Sequence, residues 1–471
     1  MAAAPAETLS PAELRTLWIA SLAVFAVFLD TTILFVAFPA ITRAFPGVGA
    51  SELSWVLSGY TIVFGALLIP LGRLGDLWGH RALFLAGSIV FTIGSTLCAA
   101  APTPALLIAA RVVQALGGAA LVPASLALVM RATPRARVPV ALAIWGATGA
   151  VAGAVGPTLG GALVELGGWW WVFIINLPVG LLTVWLGRRH LRESRDADAR
   201  LPASLGVALL MLGSALLALA LVRGEDWGWG SSVTLATLAA GFVALALFVA
   251  HQARTPAPTV DLSLFRVRNF AWGNAAGFAF GIAFTAMFLS GILFLTEVWR
   301  WTILAAGFGV APGPLLVATL APRLGRLAAR VGQRPLLLAG GLSFAAGGLW
   351  RWWVLGSDSA YVTQFLPAML MTGLGVALCL PQLSSVVGQA LPADRLGVGG
   401  AVNQAVRQFA GTLGVALTIG LLGAPSGPLD ALARFDRVWW LLILGGAATA
   451  LLALPLRTAS AAPSVAEAPA R

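Results

Sequence analysis

Lysine is absent from the 471 residues, and all 29 basic residues are arginine. That excludes a P-loop lysine, a Schiff-base lysine and a kinase lysine, so transport driven by ATP hydrolysis would draw on a separate subunit. Cysteine is nearly absent: Cys98 and Cys379 both lie in apolar runs, which leaves neither a disulfide framework nor a zinc site. The three histidines, His80, His190 and His251, stand alone in polar segments, so no metal and no cofactor is expected. Charge is scarce too, at 10% of residues, against 59% hydrophobic residues and a mean hydropathy of +0.91. A soluble chain of this length needs far more charge to cover its surface. The solvent for most of these residues is lipid.

The net charge of +11 does not point to nucleic acid, because the arginines sit in short loops between apolar runs. A hydrocarbon core about 30 Å thick takes roughly 20 apolar residues per helix. Fourteen such runs lie between residues 15 and 456. Only a helix bundle fits them, since backbone groups in lipid must be satisfied within the segment. Taking the N-terminal side as inner, the inner segments hold 21 arginines and the outer loops 6, Arg351 among the latter. Arg111 and Arg407 fall within spans. The asymmetry predicts both chain ends on the cytoplasmic side. The start does not read as a cleaved signal peptide, and residues 458–471, rich in Ala, Pro and Ser, read as a disordered tail.

The chain repeats itself. The segment from Gly72 to Gly87 and that from Gly325 to Gly340 are identical at nine of sixteen positions, at an offset of 253. A weaker match pairs Leu116, Gly117, Ala119 and Pro123 with Leu374, Gly375, Ala377 and Pro381. The expected organisation is a six-helix bundle over 1–190, a linker with two extra membrane helices over 191–260, and a second six-helix bundle over 261–457. Duplicated bundles with a site between them are the architecture of alternating-access transporters.

Several motifs follow in order: Asp30-Thr31-Thr32-Ile33 through Ala37-Phe38-Pro39; Trp55 to Tyr60; the loop Gly72–Arg81; Arg111 to Gly117; Gly156-Pro157-Thr158-Leu159-Gly160-Gly161; Trp169 to Gly180; and Asp261 to Arg266. Together they resemble the major facilitator superfamily, within it the fourteen-span drug:proton antiporter branch. Phe35, Leu77 and Trp170 depart from that branch's usual Asn, Arg and Arg. The resemblance implies an all-α polytopic fold in a bacterial inner membrane and proton-coupled export of hydrophobic or cationic drug-like compounds. It implies protons, a small molecule and the bilayer as partners, with the monomer as the working unit.

Asp30 is the most informative residue, an acid about fifteen residues into an apolar span. An ionised carboxylate there costs several kcal/mol, so it pairs, takes a proton or faces water. Its two readings are a proton carrier and a permanent structural ion pair. Arg111 cannot give up its proton, and the resemblance assigns it to proton coupling alongside Asp30; the alternative is snorkelling to the outer surface. Gly72, Asp76, Gly79 and Arg81 are expected in a tight inner loop, which the resemblance makes a latch between the bundles. The second copy has Ala329 in place of the acid. Gly156, Pro157, Gly160 and Gly161 suit close helix packing with a kink, and the resemblance adds an antiporter role.

Apolar ligands need aromatic surface and a few polar groups. The candidates are Phe35, Trp145, Phe173, Asn176, Asn274, Phe278 and Gln382, with Arg407 either gating or snorkelling. Glu165, Glu225, Asp226 and Glu297 are expected to be solvated at the outer surface. Two other functions compete: proton-coupled uptake of a small solute, and a polytopic membrane enzyme. The antiporter-like fifth span weighs against the first. The second lacks a sizeable loop with clustered acids or histidines.

Overall fold

A computed structural model describes residues 9–134, 137–195, 204–256, 258–392, 395–424 and 428–457. The expected tail at 458–471 lies outside them. The first half holds α1 (Pro11–Ala44), the short α2 (Ala50–Leu53), α3 (Trp55–Trp78), α4 (His80–Ala99), α5 (Pro104–Ala132), α6 (Val138–Gly167), the short α7 (Trp171–Ile174) and α8 (Asn176–His190). Next come α9 (Ser204–Trp227) and α10 (Ser232–Arg254). The second half holds α11 (Arg268–Leu293), α12 (Ile303–Val310), α13 (Pro312–Val331), α14 (Gln333–Val354), α15 (Leu366–Gln389), α16 (Leu396–Leu422) and α17 (Pro428–Ala453). No strand occurs among the described residues.

Local chemistry sets the helix starts. Ser10 caps α1 by accepting from the Glu13 amide at 3.3 Å, while the Glu13 carboxylate accepts from the Ser10 amide at 3.0 Å, and Pro11 fits the first turn. Thr103 and Pro104 open α5 in a similar way. Thirteen helical stretches among the described residues are long and apolar enough to span a membrane. The expected eleventh span, at 336–355, falls on α14 and is not among them; α14 carries Arg334 and Arg351 in its 22 residues. It nevertheless packs against α15 and α17.

The repeat is visible in the packing. Gly79 separates α3 from α4 at φ 110°, and Gly332 separates α13 from α14 at φ 82°. A side chain would be strained at either turn. Beyond each turn, glycines let two helices touch backbone to backbone: Gly87 and Gly94 meet Gly117 and Gln114 on α5, and Gly340 and Gly347 meet Gly375 and Thr372 on α15. The segment from Gly72 to Trp78 corrects an expectation, because it is not a loop but the last turns of α3, leaving Gly79 as the whole turn. α13 likewise runs helical to Val331, past the apolar run that ends near 321.

α9 and α10 pack on each other, and α9 rests against α3 and α16, one helix from each half. The alternating chain direction gives the molecule two faces, one marked by Gly79 and Gly332, the other by Trp169 and Trp301.

Candidate functional site

Asp30 lies near the midpoint of α1 and is 2% exposed. Three donors converge on its carboxylate. Arg111 Nη1 donates to Oδ2 at 2.6 Å, while Gln114 Nε2 and Asn176 Nδ2 donate to Oδ1 at 2.8 and 3.0 Å. The same two amides also reach Ser95 Oγ, at 2.8 and 2.9 Å. Arg111 is tied further by Nη1 to Gln114 Oε1 and by Nε to the Val56 carbonyl at 3.1 Å. Its guanidinium stacks over the Tyr60 ring at 4.1 Å, with Phe173 at 5.8 Å. Six helices meet here, α1, α3, α4, α5, α7 and α8, and every member is buried.

Both carboxylate oxygens accept from these donors, in the geometry of an ion pair. Charge-assisted hydrogen bonds are about twice as strong as neutral ones, and they offset part of the cost of burying both charges. A proton on Asp30 would cancel the attraction of Arg111 and convert one acceptor oxygen into a donor. Of the expected residues, Asp30 and Arg111 are brought together. Phe173 and Asn176, expected in a substrate cavity, belong instead to this core, because both are fully buried against the ion pair.

The Gly79 turn is built within the first half. Asp76 Oδ1 meets His80 Nε2 at 3.3 Å, and its Oδ2 lies 3.8 Å from Arg73. The Arg81 and Ala82 amides donate to the Glu193 carboxylate at 3.0 Å each, and Arg81 Nη2 reaches the Arg188 carbonyl at 2.8 Å. Glu193 therefore caps the start of α4. The expected contact to the other bundle is not made in this conformation; the partners of Asp76 and Arg81 come from α3, α4 and the segment around α8.

The halves meet at the Trp169 face. Gly156 and Gly160 pack against Thr32 and Ile33 of α1. Gly161 faces Leu304 of α12, and Gly307 faces the Pro157 carbonyl, so the Gly-Pro motif forms a seam between α6 and α12. Glu165, expected to be solvated, reaches across the seam and accepts from the Leu304 amide at 3.0 Å. Phe35 packs across the halves on Phe288, with centroids 6.2 Å apart, and Thr61 shares a 2.7 Å hydrogen bond with Thr412. Toward the Gly79 face the picture changes. Gly146 and Gly153 of α6, Gly277 of α11 and Gly400 of α16 all look onto open space.

The remaining cavity candidates are scattered. Trp145 is half-buried and donates to Ser125 Oγ at 3.1 Å. Asn274 donates to the Phe270 carbonyl and accepts from Asn403 at 3.0 Å. Gln382 is buried on α15, and Arg407 is half-buried on α16. A cavity of about 700 Å³ opens at the Trp169 face between Arg43, Glu165, Trp169, Glu297, Arg300 and Trp301. None of the expected cavity residues lines it.

Sequence reasoning missed Arg351. Placed in an outer loop, it is in fact buried in α14 at 1% exposure, donating to the Gly347 carbonyl and Thr372 Oγ1 at 3.3 Å each. Glu225, also expected to be solvated, is instead bonded to Arg434.

A sequence profile of the Major Facilitator Superfamily matches residues 20–415. The chain is 36% identical over 413 residues to "Multidrug resistance protein Stp" of Mycobacterium tuberculosis, covering 88% of this chain and 76% of the relative. It is 34% identical to "Cephamycin export protein CmcT" of Amycolatopsis lactamdurans over 407 residues, 85% and 83% of the two chains. "Multidrug export protein EmrB" of Escherichia coli K12 is 33% identical over 403 residues, 84% and 78%. Among solved structures, the xylose transporter XylE of E. coli, in a partially occluded inward-open conformation, superposes with a TM-score of 0.66 at 13% identity, covering 94% of this chain and 97% of XylE. A peptide transporter of the POT group in complex with sulfate gives 0.66 at 16% identity, covering 95% and 96%. At these identities the two structures speak to the fold alone.

Proposed function

We propose, from the premise that this chain belongs to the Major Facilitator Superfamily and to its drug:proton antiporter branch, that it is a secondary active exporter that trades inward protons for outward drug-like molecules. The arginine asymmetry orients the Gly79 face to the cytoplasm of a bacterial inner membrane. With α6 and α12 in contact beneath the cavity at the Trp169 face, this reading takes the conformation described above as the cytoplasm-facing one. The working unit in this reading is the monomer.

The observation that carries this reading is Asp30, a lone acid in the membrane interior held by three donors. Its ionised, Arg111-bound form suits the state after a proton has left to the cytoplasm. When the cleft opens outward, water and a proton reach Asp30, Arg111 is released, and the helices tied through Gln114, Ser95 and Asn176 are free to rearrange. The mechanism links protonation to helix position, and helix position to which face is open. At ~100 mV and one pH unit an inward proton yields about 3.7 kcal/mol. For one-to-one exchange with a neutral molecule that sustains a gradient of roughly 500-fold. The named activities of the relatives, multidrug resistance and export of a cephamycin, support an antibiotic-like cargo.

The test is proton movement in inside-out vesicles. Adding a transported compound should release protons from the lumen of acid-loaded vesicles, and Asp30→Asn should abolish that release while the variant still binds the compound. Full active efflux by Asp30→Asn would end the coupling role. Substrate uptake in the direction of the proton would favour a symporter.

A further inference from the structure

Arg407 is held by no ion pair with any described residue, although it lies three turns into α16. Its position follows from the contacts of its neighbours. Ala405, Gln408 and Thr412 pack toward α3, at Gly65 and Thr61. Asn403, Ala410 and Gly414 pack toward α11, at Asn274, Gly281 and Ile282. At 100° per residue, Arg407 falls on the edge of the arc between these two faces, in line with Gly400 and Gly411. Gly400 and, across on α11, Gly277 both look onto open space. This arc borders the cleft between the halves.

Among the described residues the cleft offers no compensating acid. Asp30 is neutralised by Arg111 at 2.6 Å and buried beneath α1. The other described acids sit in loops or in the end thirds of their helices: Glu13, Asp76, Glu193 and Asp261 toward the Gly79 face, and Glu52, Glu165, Glu225, Asp226, Glu297, Asp358, Asp430 and Asp436 toward the Trp169 face. An unpaired guanidinium at membrane depth needs water or an anionic partner. Above it, toward the closed end, Phe284 stacks edge-on with Phe288 at 5.3 Å, and Phe288 meets Phe35. Arg407 thus lies below an aromatic, apolar roof.

We propose that Arg407 is the anion-recognising residue of the transport cleft, and that the preferred cargo is an aromatic or aliphatic amphiphile carrying one negative charge, such as a carboxylate. The proposal rests on the reading of this chain as an exporter and revises the expected preference for cations. A planar guanidinium takes a carboxylate through two parallel hydrogen bonds, which an ammonium of Lys cannot reproduce. A cationic compound would meet like charge in the same place.

Three compounds with one naphthyl body separate the charge term from the apolar one: 1-naphthylacetate, 1-naphthylacetamide and (1-naphthylmethyl)trimethylammonium. Equilibrium binding to the purified protein in neutral-lipid nanodiscs should rank the acetate first, by roughly tenfold over either of the others. Arg407→Gln should bring the acetate down to the level of the amide and leave the amide unchanged. Arg407→Lys should keep part of the preference. Preference for the trimethylammonium, an unaltered acetate-to-amide ratio in Arg407→Gln, or no binding of any of the three would overturn the proposal. Proton release from inside-out vesicles is read in parallel. Anion preference without proton release defeats the exporter reading and leaves the anion site standing, whereas proton release evoked equally by all three does the reverse.

Discussion

The two halves keep the same skeleton and differ in what they bury. At the offset of 253 residues Gly79 answers to Gly332, Gly94 to Gly347 and Phe35 to Phe288. The first two pairs do the same work in each half, and the third meets face to face across the molecule. The charged positions part ways. Asp30 answers to Ala283, and Cys98, which faces Gln114 at 3.8 Å, answers to Arg351. Each half therefore buries one arginine beneath a ring, Arg111 near Phe173 at 5.8 Å and Arg351 near Trp439 at 5.7 Å. Arg111 has a carboxylate. Arg351 has only the Gly347 carbonyl, the Thr372 hydroxyl and the Met369 sulfur, and its Nε has no partner. The closest helix crossings leave room only for glycine and so persist, while the proposed proton site needs to exist once.

Removing each arginine should break the halves apart energetically. Arg111→Met strands the Asp30 carboxylate, and losing one partner of a buried pair costs about 3–5 kcal/mol. A thermal melt of the purified protein should show this as the largest drop of any substitution considered, and Asp30→Ala in the same chain should restore most of it. Arg351→Met strands no opposite charge and removes a buried ion. Its melting point should stay near or above that of the parent. Equal losses from the two variants would erase the distinction.

Asp30→Asn sharpens the same contrast on the functional side. The amide keeps size and one acceptor oxygen but cannot carry a proton between faces. Efflux driven by a pH gradient should fall at least ~100-fold, on the order of 3 kcal/mol of coupling, with equilibrium exchange of labelled compound retained. No single substitution in the second half, where Ala283 holds the corresponding place, should do this.

Much of this division was legible in the sequence. An acid within an apolar run is rare enough to mark Asp30, and the duplicated Gly-Arg-Leu segment announced both turns and both halves. The partners of Asp30 were harder to see. Gln114, Asn176 and Ser95 are ordinary small polar residues in apolar helices, and only their convergence from three helices gives them meaning. Arg351 failed for a related reason: an arginine one turn from a helix end has the same sequence signature whether it snorkels outward or folds in against Trp439. Glu165 and Glu193 cap helices far along the chain, a relation that no local pattern encodes. Gly72 to Trp78 looked like a loop because charge and glycine end an apolar run without ending a helix.

The seam between the halves responds on a smaller scale. At Gly161 a Cβ would lie 2.8 Å from the Leu304 Cα, so Gly161→Leu must push α12 away. Overpacking of this kind costs ~1–3 kcal/mol, and the opening of the Trp169 face should absorb it. Spin labels at the Trp169 ends of α6 and α12 should report a longer separation, with the melting point little changed because the glycine crossings within each half are untouched.

The finest test concerns the one pair that the offset of 253 places in mutual contact. Phe35 and Phe288 stand at equivalent points of the two halves and touch each other, so each contributes the same ring to one shared interface. Phe35→Ala and Phe288→Ala should shift the balance between the two open states in the same direction, toward opening at the Trp169 face. In the double variant the effects should fall short of their sum by about 0.5–1.5 kcal/mol, the coupling of an aromatic pair. Phe288 also leans on Phe284 at 5.3 Å, a contact within its own half, so its single substitution should lower the melting point more than that of Phe35. Additive effects would mean that the rings are neighbours without a shared contact, and that the halves are held by the α6–α12 seam and the Thr61–Thr412 bond without them.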